Sequence, residues 1–331
     1  MGRSLLFLIA MSLAVVTADF SCGQGTDQLR SLTVPEAIEI ASKDGPLSLN
    51  GLTSLSPQVA SVLAAHKGGL GLNGLTSVSD DVAKLLAEHH GMLLLDGVSS
   101  LSVDAAEALG GHQGDLSLAG LRTLPHKIAR RLGRHRGGIS LNGVTSLTPE
   151  SADALWSVSG DLYLNGLSLM SVGVAESLAK HKGTLHLRGV KELQPEVARA
   201  IAQHGGDGLV LGVTELTPEL AEALALHAGQ ALLLASVKHL TPESAKELAT
   251  HMGTTLSLPV LEAVPPGVAK ALAKHTSALA LDGITSLSRE SAEALAEHRG
   301  FVTLFGLTKG SLAADVEEAL RVNPQVLFND E

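Results

Sequence analysis

The chain has 331 residues, 45% of them hydrophobic but only 2% aromatic, and its 24 Lys and Arg against 34 Asp and Glu leave a formal charge of −10. That balance argues against general nucleic-acid binding, which needs a basic surface. Cys22 is the single cysteine, so no internal disulfide can form.

Met1–Ala18 has the parts of a signal peptide: Arg3, the apolar run Leu5–Val16, then small side chains before a cut after Ala18. The apolar run is too short for a membrane span, so no transmembrane segment is expected once it is removed. Cys22 follows where a lipid-modified cysteine of an exported protein would stand, although Asp19-Phe20-Ser21 fits a lipobox poorly. It is kept as a candidate lipid anchor. Residues 19–28 read as a polar leader and 29–46 as an N-terminal cap, with Leu29, Leu32, Ala37 and Ile40 in register with the second half of the unit that follows.

That unit is Leu47–Gly69, LSLNGLTSLSPQVASVLAAHKGG. It recurs every 23 residues from Leu47, Leu70, Leu93, Leu116, Ile139, Leu162, Leu185 and Gly208. It then restarts, after one extra residue each at Ala231 and Thr255, from Leu232, Leu256 and Leu279. Eleven repeats fill 47–301, and a fixed period of this size marks a solenoid. Positions 1 and 3 are apolar around a variable position 2, the alternation of a short strand with one buried face. Asn-Gly or Asp-Gly at positions 4 and 5 turns the chain. Apolar positions 6 and 9 come next, then Ser/Thr-Pro-Glu, which caps a helix of about three turns. Position 14 is alanine in every repeat, beginning Ala60, Ala83, Ala106, Ala129, so the helix backbone is expected close against the strands. Glycine at position 22 (Gly68, Gly91, Gly114, Gly137) is expected to stop the helix. A single repeat leaves apolar faces uncovered, so stability is expected to be cooperative along the stack. Residues 302–331 read as a C-terminal cap with a helix over Leu312–Arg321 and a last strand at Val326–Phe328, while Phe301, Phe305 and Phe328 cover the core end.

The pattern L-x-L-N-G-L-x-x-L followed by an Ala/Leu helix resembles the leucine-rich repeat family, in particular the short bacterial surface-protein class of about this length. The resemblance implies an α/β solenoid with short parallel strands on one face and helices on the other. It also implies a strand face that binds proteins or glycans, and no catalysis. The chain departs from the family in its histidine at position 20 and its lack of aromatic residues in the helices.

Position 20 is His66, His89, His112, His135 and then His181 through His298, broken only by Val158. A row of imidazoles suggests metal binding. Helices packed ~8–10 Å apart would hold the rings too far apart to share an ion. The reading is therefore structural, each ring donating to free helix-end carbonyls and favouring the helix dipole as a cation, with no metal site and no cofactor. The stretch Leu155–Tyr163, which runs from repeat five into the start of repeat six, lacks the histidine and holds the only Trp and the only Tyr. Trp156 is expected to fill space freed by the missing histidine, and Tyr163, at position 2, to project from the strand face. With Asn165, His186 and Arg188, Tyr163 forms the most varied patch expected there, a candidate ligand site. Repeat four is locally basic, and Arg130, Arg131 and Arg134 are candidates for contact with an anionic surface. Gly69–Gly74 matches G-x-G-x-x-G but lies between a helix and the next strand, the reverse of a dinucleotide site. No G-x-S-x-G, H-E-x-x-H or P-loop is present. The expected function is an exported, non-catalytic binding or adhesion module, periplasmic, cell-surface or secreted, with a protein or glycan partner. The alternatives are a structural envelope protein that acts by assembly and, more weakly, metal binding by the histidine column.

Overall fold

A computed structural model describes residues 26–308, 310 and 312–329. The signal-peptide reading of 1–18 and the candidate anchor Cys22 lie outside the described residues. Among the described residues thirteen strands form one parallel sheet in sequence order, from Leu47–Ser48 to Val326–Asn329, with a helix between successive strands on the other side. Positions 1 and 3 both point inward: Leu70, Leu72, Leu93, Leu95, Leu116 and Leu118 are at most 1% exposed. Alanine at position 14 is 0% exposed in all eleven repeats, from Ala60 to Ala292. A methyl group there lets the helix approach the strands, and a larger side chain would have to push the two layers apart.

Capping follows the sequence. The Ser56, Thr148, Thr217 and Thr241 hydroxyls each accept from the amide three residues on. The helices are shorter than three turns, however. They run five to eight residues, as in Pro149–Asp153 and Pro57–Ala64, because the chain must leave the helix by position 19 to reach the next strand. At the C-terminal cap the helix is Ala314–Arg321 and its Arg321 guanidinium lies 5.2 Å from the Phe328 ring centre. Phe328 packs on the core, whereas Phe301 is 40% exposed and does not cover it.

The register corrects the sequence reading in one place. Leu185 pairs with Leu209, not Gly208, and Leu209 pairs with Leu232. The extra residue therefore precedes Leu209, and the turn after this strand is one residue shorter, with Gly212 alone between Leu211 and Val213. The two changes compensate, which hides them from a period count. Inward leucines select the register, since a one-residue slip would turn Leu209 and Leu211 out of the core.

Candidate functional site

On the strand face, position 4 forms a ladder. Asn50 Oδ1 accepts the Asn73 amide at 2.9 Å, Asn73 Oδ1 the Asp96 amide at 2.9 Å, and Asp96 Oδ1 the Ala119 amide at 2.9 Å. The ladder resumes from Asn142 to Asn165 at 2.9 Å and from Asn165 to Arg188 at 3.0 Å. Its first member is Asp27, whose Oδ1 accepts the Asn50 amide at 2.9 Å and the Ser48 hydroxyl at 2.6 Å. Asp27 stands 23 residues before Asn50, so the repeat's logic extends into the stretch read as a polar leader. Where position 4 is Asn or Asp, its side-chain oxygen pairs an amide that the short strands leave unmet. The fold is a leucine-rich-repeat solenoid. Replacing Asn73 with Ala is expected to leave the Asp96 amide unpaired at a cost of about 1–3 kcal/mol. A thermal melt indistinguishable from the parent would show the ladder to be dispensable.

No family model matches the chain, and no curated protein matches it. Among solved structures it is similar to an internalin of Listeria monocytogenes, at 15% identity over 95% of each chain with a TM-score of 0.45. It is also similar to a leucine-rich-repeat protein of Leptospira interrogans, at 17% identity over 93% of this chain and 94% of that one with a TM-score of 0.35. A chain of the Drosophila Toll–Spatzle complex matches at 12% identity over 72% of this chain and 40% of that one, with a TM-score of 0.43. The fold rests on the ladder and the sheet, not on these distant likenesses.

The candidate ligand patch is packed more tightly than the sequence suggests. Tyr163 and His186 do not project into solvent but are 8% and 3% exposed. Their rings stack on each other, with centres 4.1 Å apart and planes 12° from parallel. Position 2 is buried in the neighbouring repeats too, as at Ser117, Ser140, Val210 and Leu233, because strand spacing brings side chains of successive repeats into contact. Asn165 is likewise spent on the Arg188 amide. What the patch shows to solvent is its polar rim, and that rim includes a residue the sequence analysis left out. Asp161, at position 23, accepts the Thr184 amide at 2.9 Å through Oδ1 and the Tyr163 hydroxyl at a long 3.4 Å through Oδ2. His186 Nε2 lies 4.0 Å from the same oxygen.

Burial works against ionisation of Asp161, but the His186 imidazole and the Thr184 amide outweigh it and hold the carboxyl below its usual range. Burial, reinforced by the Asp161 and Asp115 carboxylates, pushes the Tyr163 phenol up to about 12, so it stays a proton donor at neutral pH. Aspartate at position 23 of repeats three, five and seven (Asp115, Asp161, Asp207) was the legible signal. It passed unnoticed because position 23 varies across the other repeats, from Gly69 and Met92 to Thr184 and Phe301.

The histidine column is more closely knit than helix spacing allows. All ten rings are at most 4% exposed, and consecutive ring centres lie 5.7–6.4 Å apart on either side of Val158. Position 20 sits on the turn into the next strand, so strand spacing sets the distance between rings. His66 Nε2 donates to the Gly45 carbonyl at 2.8 Å, His112 Nε2 to Gly91 at 3.0 Å, and His298 Nε2 to Ser277 at 2.8 Å, each in the preceding repeat.

In the middle of the second run the rings meet each other. His204 Nδ1 is 3.5 Å from His227 Nε2, and His227 Nδ1 is 3.4 Å from His251 Nε2. The corresponding ring centres, 5.8 and 5.7 Å apart, are each 2.3 Å further apart than the nitrogens, twice the distance from an imidazole centre to its nitrogen. The parallel rings are therefore edge to edge, with each nitrogen aimed at the next, and are not stacked face to face. Such a row needs neutral rings, each giving one proton and accepting one. Burial first, then the charge of neighbouring imidazoles, drops His204 to about 4 and His227 to about 3, and does the same to His251, at about 4. The expectation of dipole-favouring cations is thus reversed for these rings, because a buried charge costs more than the helix end returns. Among the described residues no group of three or more His, Cys, Asp or Glu is placed to hold a metal ion.

Trp156 does not fill the missing histidine's place. Val158 does so, at 2% exposed, while Trp156 is 50% exposed on the flank of the solenoid. In the basic repeat, Arg131 and Arg134 both reach Glu107 of the preceding repeat, at 3.0 and 3.4 Å, and Arg130 is exposed.

Proposed function

We propose that the chain is an exported, non-catalytic binding module whose central strand face takes a protein or glycan partner. One observation carries this reading. Along a floor of Ser, Gly, Ala, Val, Thr and Leu, the repeats around Tyr163 alone bring a phenol, an imidazole, a carboxylate and a guanidinium together. The stacked pair of Tyr163 and His186 is a rigid base, and Asp161, the Tyr163 hydroxyl and Arg188 are the groups left to contact a polar partner. A preorganised rim of this kind loses little entropy on binding.

The test is a binding screen against envelope glycans and surface proteins, with the Tyr163→Phe/Arg188→Ala double variant beside the parent. Phenylalanine keeps the ring stack and removes only the hydroxyl. The expected result is a partner bound at least tenfold more weakly by the variant while circular dichroism is unchanged. Equal binding would move recognition off this face. Concentration-dependent association in light scattering without any partner would favour the assembly reading.

A further inference from the structure

We propose that one flank of the solenoid, the edge where the helices end, binds the surface of an anionic lipid bilayer. The repeat builds this edge by alternation: position 20 is buried as the imidazole, while positions 19 and 21 beside it are exposed in the basic repeats. Every such pair recurs on the same flank, because each repeat places its helix end beside the last.

The chain is acidic overall, yet this edge is basic. Positions 19 and 21 carry Arg134, Arg136, Lys180 and Lys182 on either side of repeat five, all exposed. Lys67, Lys274 and Arg299 extend the row, against only Glu88 and Glu297 at these two positions. Arg134 is tied to Glu107 at 3.4 Å and Lys180 to Asp153 at 2.5 Å, so Arg136 and Lys182 are the cations with most to offer a ligand. Between them stands Trp156, half exposed, held in place by the Ser157 hydroxyl, which donates to the Gly133 carbonyl at 2.7 Å. The same edge exposes Leu226 at 56% and Met252 at 91%.

Cations and exposed apolar side chains on one edge match the two layers of a lipid surface. The cations meet anionic headgroups, and the tryptophan, leucine and methionine enter the boundary of the acyl chains. Tryptophan suits that boundary because its ring is apolar and its N–H is polar. An anionic polysaccharide would satisfy the cations but would give Leu226 and Met252 nothing to bury against, which is why the bilayer is favoured. A helix-end row of cations also complements the helix dipoles, but that role does not call for exposed Trp, Leu and Met beside it.

Trp156 is the only tryptophan, so its fluorescence reports on this edge alone. The full chain is mixed with vesicles of equal parts phosphatidylglycerol and phosphatidylcholine, and with phosphatidylcholine vesicles. A blue shift of Trp156 emission and co-flotation are expected with the anionic vesicles only, both reversed by high salt. The Arg136→Glu/Lys182→Glu variant is expected to bind them at least tenfold more weakly, and Leu226→Ser/Met252→Ser also more weakly. Both carry the same N-terminal apolar run as the parent, so any loss belongs to the edge. Circular dichroism checks that both variants fold. No shift with anionic vesicles would overturn the proposal, as would a folded charge variant that binds like the parent. A shift of the same size with dextran sulfate, unaffected by Leu226→Ser/Met252→Ser, would assign the edge to anionic polymers instead.

Discussion

Acidification from pH 7 to about 3 is expected to unfold the solenoid, with the melting temperature falling steadily below pH 6.5. His204, His227 and His251 ionise near 4, 3 and 4 in the folded chain, against about 6.5 when unfolded. The unfolded state therefore takes up protons first as the pH drops. Folding stability from these rings is complete above 6.5, erodes between 6.5 and about 3–4, and is fully lost below. At about 1.4 kcal/mol per pKa unit the three together account for on the order of 10 kcal/mol, comparable to the total stability of an ordinary domain. The row amplifies the effect, since a proton on one ring sits beside its neighbours and breaks the chain of donors and acceptors. Thermal melts by circular dichroism across this range measure it. Val158 shows that an aliphatic side chain fits position 20. The triple replacement of His204, His227 and His251 by valine is thus expected to shift the acid transition to lower pH. A melting temperature flat between pH 7 and 4, or a valine variant with the parent's transition, would show that the column does not control acid stability.

Two adjacent glycines are expected to respond in opposite ways to the same substitution. A Cβ at Gly206 would lie 2.5 Å from the Lys182 carbonyl oxygen, 2.7 Å from that of Gly183 and 2.7 Å from His204 Nε2. The first two are backbone atoms that cannot move without separating repeats six and seven. Gly206→Ala is expected to cost about 2–4 kcal/mol and to displace the His204 ring. A Cβ at Gly205 meets nothing within 4 Å, and its backbone lies outside the left-handed region. Gly205→Ala is expected to be neutral or to stabilise by up to about 1 kcal/mol, through the unfolded chain. Denaturant melts of the two variants decide the matter, and equal destabilisation would rule out close approach of backbones as the reason for the position 22 glycine.

The repeat period, the inward leucines, the invariant alanine, the capping residues and the stack of parallel strands were all legible in the sequence. Each is a local preference or a periodicity repeated eleven times, and repetition averages away the exceptions. The compensating shifts at Leu209 and Gly212 escaped, because register is chosen by pairing with Leu185 and Leu232 and not by counting. The candidate site divided in the same way. Its residue types could be read from repeats five to seven, but not the facts that Tyr163 and His186 bury each other or that Asp161 closes the cluster. Those depend on distances across repeats, which one strand's pattern does not contain. The histidine column was visible as a column, yet its chemistry was decided by geometry. Strand spacing brings the rings edge to edge, burial keeps them neutral, and a glycine two residues on leaves room for the ring beside the backbone everywhere but at His275, where Ser277 stands.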